Sequence, residues 1–502
     1  MAPTAHLSSI RLAEALGLSH GMVKYKGDIF KAFFQQRIAV DRNKKDLYIV
    51  LPKMYQDGRE GEERICKRLI YEPPGCKRTP QLWYRTVRDV LRDMKFETTV
   101  VDSCVFILRD ANGDLCAILY MHVDDNIVFA KTHELALWIK RDLEKRGIKF
   151  RFYAEVPPGE ITSSLGLEIV QILQGEESSI GTYISQKSYI IEKAKEINLE
   201  EYSNASKQFR SPGSIAEGHA LYKQFRNRLG VAFWVQKTRF EVTLQLSLLA
   251  SQLDVLCYPM IAEMNSIMRT LQQTKERAYF IPKLSLEYPW QAVGVADSAF
   301  ANRPDESSQG AYAIGIAVPQ QHDAFAPLHY SSGRLRRQGN SSLDTETINN
   351  TECLGCLFLL NLMISEIMFG RIPSLQERIL LQAEDNIILR EKWLDTYLDT
   401  DCNDYLELVY NLKPGWSHVA KRRRIDVIVA QDLLRYGELT KGRHIHGKTN
   451  PMDVGTKKIG FEQKQSVRFR MMFYEGKYRP DLTNKTLNSR EVSSMCFCVR
   501  CT

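Results

Sequence analysis

Acidic residues set between apolar runs are the first feature of this sequence that could do chemistry. The segment Leu115 to Ala130, LCAILYMHVDDNIVFA, places Asp124, Asp125 and Asn126 between two apolar runs, which predicts a β-hairpin with adjacent carboxylates at its tip. Asp28 ends another apolar stretch, KYKGDIFKAFF, so three carboxylates converge if these strands are neighbours in one sheet. Such oxygen-rich sites suit Mg²⁺ or Mn²⁺, and two of these ions stabilise the attacking and leaving oxygens of a phosphoryl transfer. A solvated turn without a metal is the alternative interpretation.

Four further carboxylates follow an ordered set of elements in the second half of the chain. Asp297 follows the apolar strand AVGVA, Glu346 precedes a long apolar helix, Asp385 follows the strand RILLQAE, and Asp453 lies in GKTNPMDVGTKK. The order of strand-Asp, helix-Glu, strand-Asp and late Asp matches that of ribonuclease H, in which four carboxylates hold two Mg²⁺ ions that activate water to cut a phosphodiester. Taken singly, each of these residues fits an ordinary surface position.

Positioning these carboxylates requires a fold with both helices and sheets. Short apolar runs alternate with helical patterns early in the chain, which is typical of an α+β protein. A stretch rich in Ser, Asn, Lys and Gly, Glu201 to Gly218, predicts a boundary, and Val231 to Leu271 then has a mostly helical pattern. A second α+β unit begins near Trp290 and ends near Lys458, and the segment from Ile459 onward has little periodicity.

Composition limits the class of protein. The chain has 502 residues, of which 44% are hydrophobic and 25% charged, so a disordered chain, a collagen-like fibre and a coiled-coil rod are excluded. The net charge of +8 is compatible with a polyanionic partner. An odd number of cysteines, 11, and the lack of a secretory pattern in the first residues predict a reduced intracellular location. The apolar run Leu354 to Gly370 contains Asn361, Ser365 and Glu366, so we interpret it as a buried helix rather than a membrane span.

Seven segments in the first half of the chain carry a family resemblance when they are taken in order. They are GDIFKAFFQQ (Gly27 to Gln36), PGCKRTPQLWYRTVRDVL (Pro74 to Leu91), DSCVFI (Asp102 to Ile107), YMHVDDNIV (Tyr120 to Val128), SLGLEI (Ser164 to Ile169), ISQKSYI (Ile184 to Ile190) and FRNRLGVAFWVQKTRFEVTLQLSLLAS (Phe225 to Ser251). In this order they resemble the reverse transcriptase of copia-type long-terminal-repeat retrotransposons, especially the fungal ones.

The resemblance implies roles for residues around the first carboxylates. It makes Asp28 and Asp124 ligands of the catalytic metals and Asp125 the third carboxylate. Phe33 falls where the family has an aromatic residue that crowds the nucleotide 2′ position and rejects ribose, although a core aromatic fits the same position. The family's nucleotide-pocket motif corresponds here to Gly75, Lys77 and Arg78, and a solvated pair of basic residues is the alternative for the last two.

The second half resembles the ribonuclease H of the same retrotransposons. The matching segments are SSGRLRRQGNSSLDTET (Ser331 to Thr347), KRRRIDVIVAQDLLRYGEL (Lys421 to Leu439) and HIHGKTNPMDVGTKK (His444 to Lys458). The resemblance implies that Asp297, Glu346, Asp385 and Asp453 bind Mg²⁺ or Mn²⁺ and cut the RNA of an RNA–DNA hybrid. His444 or His446 could help to release the product, or each could be an ordinary loop histidine.

These resemblances imply a division of the chain. We expect a reverse transcriptase palm with partial fingers at residues 1–200, a helical thumb or connection at 201–289, an α/β ribonuclease H-like domain at 290–458 and a C-terminal tail at 459–502. The family's basic fingers hairpin, its integrase and its aspartic protease have no counterpart in this sequence, which predicts a polyprotein fragment.

The main functional hypothesis is an RNA-directed DNA polymerase with an attached ribonuclease H. Its expected partners are an RNA template, a DNA primer, an RNA–DNA hybrid and deoxynucleoside triphosphates (dNTPs), without a membrane, in a cytoplasmic virus-like particle or in the nucleus. The alternative is a degenerate, inactive relic that at most binds nucleic acid, because His122 and Pro74 stand where the family has tyrosines. A third interpretation is an unrelated basic interaction protein.

Overall fold

The structure is a computed structural model that describes residues 4–35, 48–50, 66–69, 75–76, 78–174, 178–199, 208–372, 374, 376–377, 393–410 and 421–483. It separates into two compact units, Met1–Pro157 and Pro158–Thr502. Both units contain helices and sheets, so the predicted α+β class is confirmed. The finer division at residues 200, 289 and 458 stays a prediction.

An antiparallel sheet forms the centre of the first unit. The strands are β1 Val23–Ile29, β2 Tyr48–Val50, β3 Cys66–Arg68, β4 Glu97–Thr98, β5 Val105–Arg109, β6 Leu115–His122, β7 Asp125–Ala130 and β8 Phe150–Glu155. β2 pairs with β3, and the other six strands form one sheet in the order β4-β5-β6-β7-β1-β8. The described helices are Leu7–Ser19, Thr79–Asp93 and His133–Lys145, and a 3-10 turn covers Ala32–Gln35.

The apolar strands of this sheet are buried because helices cover them. The Leu7–Ser19 helix packs against β6 and β7, and the His133–Lys145 helix packs against β7 and β1. A Cβ atom at Gly17 would lie 2.2 Å from the Phe129 ring, so only glycine permits this close approach of helix and sheet. The packed sheet therefore positions the hairpin between β6 and β7.

A second sheet and a group of helices begin the second unit. The strands β9 Ile161–Ser164, β10 Leu167–Gln174, β11 Ser178–Ser185 and β12 Tyr279–Pro282 pair antiparallel in the order β12-β11-β10-β9. The described helices between β11 and β12 are Lys187–Lys193, Ala220–Val235, Thr243–Ser251 and Tyr258–Gln273, with 3-10 turns at Phe240–Val242 and Leu253–Val255. Their apolar faces share one buried core, and the predicted helical pattern of residues 231–271 is confirmed.

A mixed sheet of five strands completes the second unit. The strands are β13 Gln291–Ala299, β14 Gln309–Val318, β15 Ala324–Arg334, β16 Asp395–Thr400 and β17 Lys441–His444, in the order β15-β14-β13-β16-β17. β13, β14 and β15 pair antiparallel, whereas β13, β16 and β17 run parallel. The described helices of this region are Ser342–Phe369, Asn403–Val409, Arg424–Arg435 and Lys464–Tyr474, and 3-10 turns cover Lys421–Arg423, Gly447–Thr449 and Pro451–Gly455.

The 28-residue helix Ser342–Phe369, called here the long helix, is apolar and long enough to cross a bilayer. In this structure it packs against β13 and β14 instead. Its polar Asn361 is buried, and the side-chain amide donates to Thr396 Oγ1 at 2.6 Å and to the Leu394 carbonyl at 3.1 Å. Because these bonds satisfy the amide inside the core, the long helix fits the expected buried position.

The segment after residue 458 contains a packed helix despite its weak periodicity. Phe469 and Phe473 of Lys464–Tyr474 are buried and lie against Phe240 and Tyr330. The Tyr474 hydroxyl donates to Glu241, a carboxylate that also accepts from Arg239 and Arg277. The helix therefore forms part of the core of the second unit.

Candidate metal centres

The hairpin between β6 and β7 brings the first three carboxylates to one edge of the sheet. Asp28 on β1 lies directly opposite Asp125 on β7 in the strand register. Asp124 lies in the hairpin turn, and its carbonyl accepts a hydrogen bond from the Ile29 amide at 3.0 Å. Val123 has a φ of 61°, which is the left-handed conformation that turns the chain here. The predicted hairpin and the proximity of Asp28 to its tip are thus present.

Solvent and basic groups surround these carboxylates. Asp124 is exposed, whereas Asp28 and Asp125 are partly buried. Arg151 Nη1 lies 3.5 Å from Asp28 Oδ2, and Lys26 Nζ lies 3.7 Å from Asp125 Oδ1. At these distances each basic group forms an ion pair with a carboxylate but no short hydrogen bond. Each ionised carboxylate can accept several bonds, so its oxygens can still bind other ligands.

A tryptophan that the sequence analysis did not single out supports this turn. Trp83 is 1% exposed in the Thr79–Asp93 helix, and its indole Nε1 donates to the Val123 carbonyl at 2.8 Å. The helix is thereby fastened to the residue before Asp124. Indole N–H groups need a partner when they are buried, and a carbonyl in a strained turn provides one.

The predicted nucleotide-pocket residues are only partly described. Phe33 is half-buried in the Ala32–Gln35 turn. Gly75 is exposed with a φ of 95°, and Arg78 is exposed just before the Thr79–Asp93 helix. Lys77 lies outside the described residues. Their roles in binding a nucleotide stay predictions.

The second unit holds the tighter carboxylate cluster. Oxygen atoms of Asp297, Glu346 and Asp401 all lie within 4.8 Å of one another. Asp297 is on β13 and Asp401 directly follows β16, and these strands are parallel neighbours with Ala296 opposite Thr400. Glu346 lies in the first turns of the long helix, and the Ser341 side chain caps this helix by accepting from the Asp344 amide. The sheet and the helix thus converge on one point.

Asp453 reaches this cluster through a lysine. Lys457 Nζ lies 2.5 Å from Asp453 Oδ1 and 3.6 Å from Asp297 Oδ1. The Thr456 hydroxyl donates to Asp297 Oδ2, and the Asn450 amide donates to the Ala296 carbonyl at 3.1 Å. The 3-10 turn Pro451–Gly455 is therefore fastened to β13 on both sides.

The third predicted carboxylate, Asp385, lies outside the described residues. Among the described residues, the corresponding place in the cluster belongs to Asp401, which the sequence analysis did not select. The available signal was the segment DTYLDTD, in which a strand is also followed by an aspartate. Its apolar residues are fewer than those of RILLQAE, so the apolar-run criterion favoured the other segment.

Burial and mutual repulsion favour the neutral forms of these carboxyl groups. Burial, and then the neighbouring carboxylates, raise the pKa of Asp297 well above its usual range. Burial and Asp401 raise the pKa of Glu346 to about 8, and burial and Asp453 raise that of Asp401. Burial lowers the pKa of the Lys457 ammonium, but the neighbouring carboxylates raise it by more. The pKa is therefore higher than usual, and this group is charged at neutral pH.

The donor set of this cluster fits a divalent cation. Glu346 Oε1 accepts from the Ser298 amide at 3.1 Å, whereas Oε2 is buried without a hydrogen-bond partner. An unsatisfied buried carboxylate oxygen is costly unless something positive binds it. Asp297, Glu346 and Asp401 are the residues that could hold Mg²⁺ or Mn²⁺, which prefer oxygen ligands.

The two loop histidines differ in their contacts. The His444 ring lies 3.0 Å from the Asp401 carbonyl through Nε2 and 2.7 Å from Thr483 Oγ1 through Nδ1. His446 is exposed. His444 therefore supports the backbone that carries Asp401, and a role of either ring in product release stays a prediction.

Comparisons with known proteins find similarity over the first part of the chain and beyond it. Residues 1–205 match the family described as reverse transcriptase (RNA-dependent DNA polymerase). A relative from Arabidopsis thaliana, the retrovirus-related Pol polyprotein from transposon RE1, is 21% identical over 357 residues, which are 68% of this chain and 22% of that protein. The chain thus spans less than a quarter of the length of this curated relative.

One of the solved structures that match has a TM-score of 0.45 and 11% sequence identity to this chain. It is the structure of the foamy viral protease-reverse transcriptase in complex with RNA/DNA hybrid. The match covers 92% of this chain and 48% of that chain.

Proposed function

We propose that the chain is an RNA-directed DNA polymerase with a ribonuclease H, because residues 1–205 match the reverse transcriptase family and the chain is similar to a retrotransposon Pol polyprotein. The polymerase site is formed by Asp28, Asp124 and Asp125. The observation that carries this assignment is the strand register that sets Asp28 opposite Asp125 beside the hairpin turn. The substrates are an RNA template, a DNA primer and dNTPs.

The residues of the polymerase site have distinct roles in this proposal. Asp28 and Asp124 would hold Mg²⁺ or Mn²⁺, which would supply positive charge for the triphosphate and the primer hydroxyl. Asp125 supports the site, and Trp83 holds the turn in place through its bond to Val123. Phe33, Gly75, Lys77 and Arg78 contact the incoming nucleotide.

Primer extension on an RNA template tests the polymerase proposal. With Mn²⁺ or Mg²⁺ present, Asp124→Asn reduces synthesis at least about 100-fold, since a metal ligand stabilises the transition state by several kcal/mol. The matched control is Asp114→Asn, an exposed aspartate in the turn before β6. Synthesis that survives Asp124→Asn unchanged contradicts the assignment.

The second unit supplies the ribonuclease H in this proposal. Asp297, Glu346 and Asp401 converge, with Asp453 beside them across Lys457, and the buried, unpaired Glu346 Oε2 is the observation that favours a metal there. A bound divalent ion would activate water for attack on the RNA phosphodiester. The chain's own residues hold the carboxylates in place: Thr456 binds Asp297, and the Ser298 amide orients Glu346.

Cleavage of a labelled RNA–DNA hybrid tests this second activity. Glu346→Gln keeps the size and the bond from Ser298 but removes a charge, so metal-dependent cleavage falls at least about 100-fold. Glu352→Gln is the control, because Glu352 lies on another side of the same helix. Equal cleavage by both variants would rule out this site.

The second candidate function is that of an inactive relic that only binds nucleic acid. The observation that favours it is His122, which ends β6 just before the turn where the family has a tyrosine. This candidate predicts hybrid binding that weakens with salt, without synthesis or cutting. For an active enzyme we propose a cytoplasmic virus-like particle or the nucleus as its location.

A further inference from the structure

We infer that Lys457 is a built-in counter-ion of the second-unit carboxylate cluster, and that its ammonium group occupies the place of one divalent cation. The inference rests on the proposed metal site and adds to it a residue that controls how many ions the pocket holds. It assigns Lys457 a positioning role in which it competes with a metal for Asp297 and Asp453.

The contacts of Lys457 support this assignment. Its Nζ lies between Asp453 Oδ1, at 2.5 Å, and Asp297 Oδ1, at 3.6 Å. The side chain is 46% exposed, whereas those of Asp297 and Asp453 are 2% and 7% exposed. Lys457 thus enters the pocket from solvent and ends on carboxylates that are otherwise buried.

The neighbouring lysine has a different environment. Lys458 is 71% exposed, and its Nζ lies 3.5 Å from Glu263 Oε1, away from the cluster. The two residues have the same chemistry and adjacent positions in the chain. Lys458 is therefore a matched control for the effect of removing one positive charge from this surface.

The charge balance explains why the ammonium and a metal compete. Asp297 belongs both to the group with Glu346 and Asp401 and to the pair contacted by Lys457. A first divalent ion would be held by Asp297, Glu346 and Asp401. A second ion would have to bind between Asp297 and Asp453, which is where the Lys457 ammonium lies. Two cations on the same oxygens repel each other strongly at such distances, so the second ion must displace Lys457.

Displacement is feasible because the lysine is flexible and half-exposed. A four-carbon stem can carry the ammonium into water, where it is well hydrated. In the absence of metal the same group reduces repulsion among four carboxylates. Lys457 therefore stabilises the metal-free pocket and weakens the binding of the second ion.

Calorimetric titration of the full chain with Mn²⁺, without nucleic acid, tests the inference. We expect Lys457→Met to bind the weaker of the pocket ions about 10-fold tighter, or to bind a second ion where the unaltered protein binds one. We also expect its Tm in EDTA to be lower. Lys458→Met should leave both quantities unchanged.

Two further variants make every outcome decisive. Lys457→Gln keeps a polar side chain but loses the charge, so it must also bind Mn²⁺ more tightly than the unaltered protein. A Lys457→Met variant that folds only with Mn²⁺ also supports the inference, because the metal then replaces the missing ammonium. A folded Gln variant with unchanged Mn²⁺ binding overturns the role of Lys457. Mn²⁺ binding that Glu346→Gln does not reduce overturns instead the metal site itself.

Discussion

At the scale of single residues, Glu346 has surroundings that conflict with its ordinary charge. One of its oxygens accepts a backbone bond, the other has no hydrogen-bond partner, and Asp401 lies close by. Burial and this neighbour raise its pKa to about 8. Without metal, the folded protein therefore holds a proton that the unfolded chain releases near pH 4.5.

This proton predicts how the stability of the metal-free protein depends on pH. Between pH 4.5 and about 8 the folded state binds more protons than the unfolded state, so the contribution of Glu346 to the free energy of unfolding falls as pH rises. Urea unfolding in EDTA at several pH values measures this slope. Glu346→Gln should make it less negative, and an identical slope in both proteins would contradict the raised pKa.

Several carboxylates of both sites were predictable from the sequence because each follows an apolar strand or precedes an apolar helix. Asp28 lies opposite Asp125 beside the turn that holds Asp124, and oxygen atoms of Asp297 and Glu346 lie within 4.8 Å of each other. Asp401 was missed because its strand is half polar: Asp399 is buried in that strand only through its bonds from Arg443 and Tyr478. Such tertiary pairing is invisible to a local apolar pattern.

At the scale of elements, the long helix positions Glu346 over the sheet through close packing on β13. A Cβ atom at Gly294 would lie 2.6 Å from Leu357 Cδ1 and 2.7 Å from Cys353 Sγ, so the helix depends on glycine there. Asn361 fixes the other end of the helix by its bond to Thr396 on β16. Together these contacts set the distance between Glu346 and the two aspartates.

Gly294→Ala should therefore push the helix from the sheet. We expect the free energy of unfolding to fall by about 1–3 kcal/mol, the usual cost of overpacking, with weaker Mn²⁺ binding by the Asp297 cluster. Gly355→Ala is the control, because Gly355 lies on the same helix with no atom within 4 Å of an added Cβ. That change should raise stability by about 0.5–1 kcal/mol. Urea unfolding measures the stability of both variants, and calorimetry measures their Mn²⁺ binding. A Gly294→Ala variant with unchanged stability and unchanged Mn²⁺ binding would contradict the close packing of helix and sheet.

At the scale of the molecule, the second unit is joined internally by a polar network and aromatic rings. Arg239 is fully buried and pairs with Glu241 at 2.7 Å, which also accepts from Arg277 and Tyr474. Tyr474 belongs to the helix after residue 458, so segments more than 200 residues apart in sequence share this network. The order of sequence motifs predicted a mixed fold, but these long-range contacts have no local signal, because they depend on tertiary packing alone.

Glu241→Gln tests how much this network stabilises the second unit. The change leaves the Arg239 guanidinium buried without its carboxylate, which costs about 3–5 kcal/mol. The control is Glu276→Gln, which removes an exposed ion pair with Lys187 and should cost less than about 1 kcal/mol. Urea unfolding gives the loss of free energy of unfolding for both variants. Equally small losses in the two variants would show that the network around Glu241 contributes little to stability.

The parallel pairing of β13 with β16, followed by the turn at Pro451–Gly455, has a consequence for protein synthesis. The residues of the Asp297 cluster and their neighbours leave the ribosome in the order 297, 346, 401, 453 and 457. A nascent chain shorter than this has an incomplete set of ligands. Translation therefore completes this cluster late, whereas the hairpin at residues 115–130 emerges long before it.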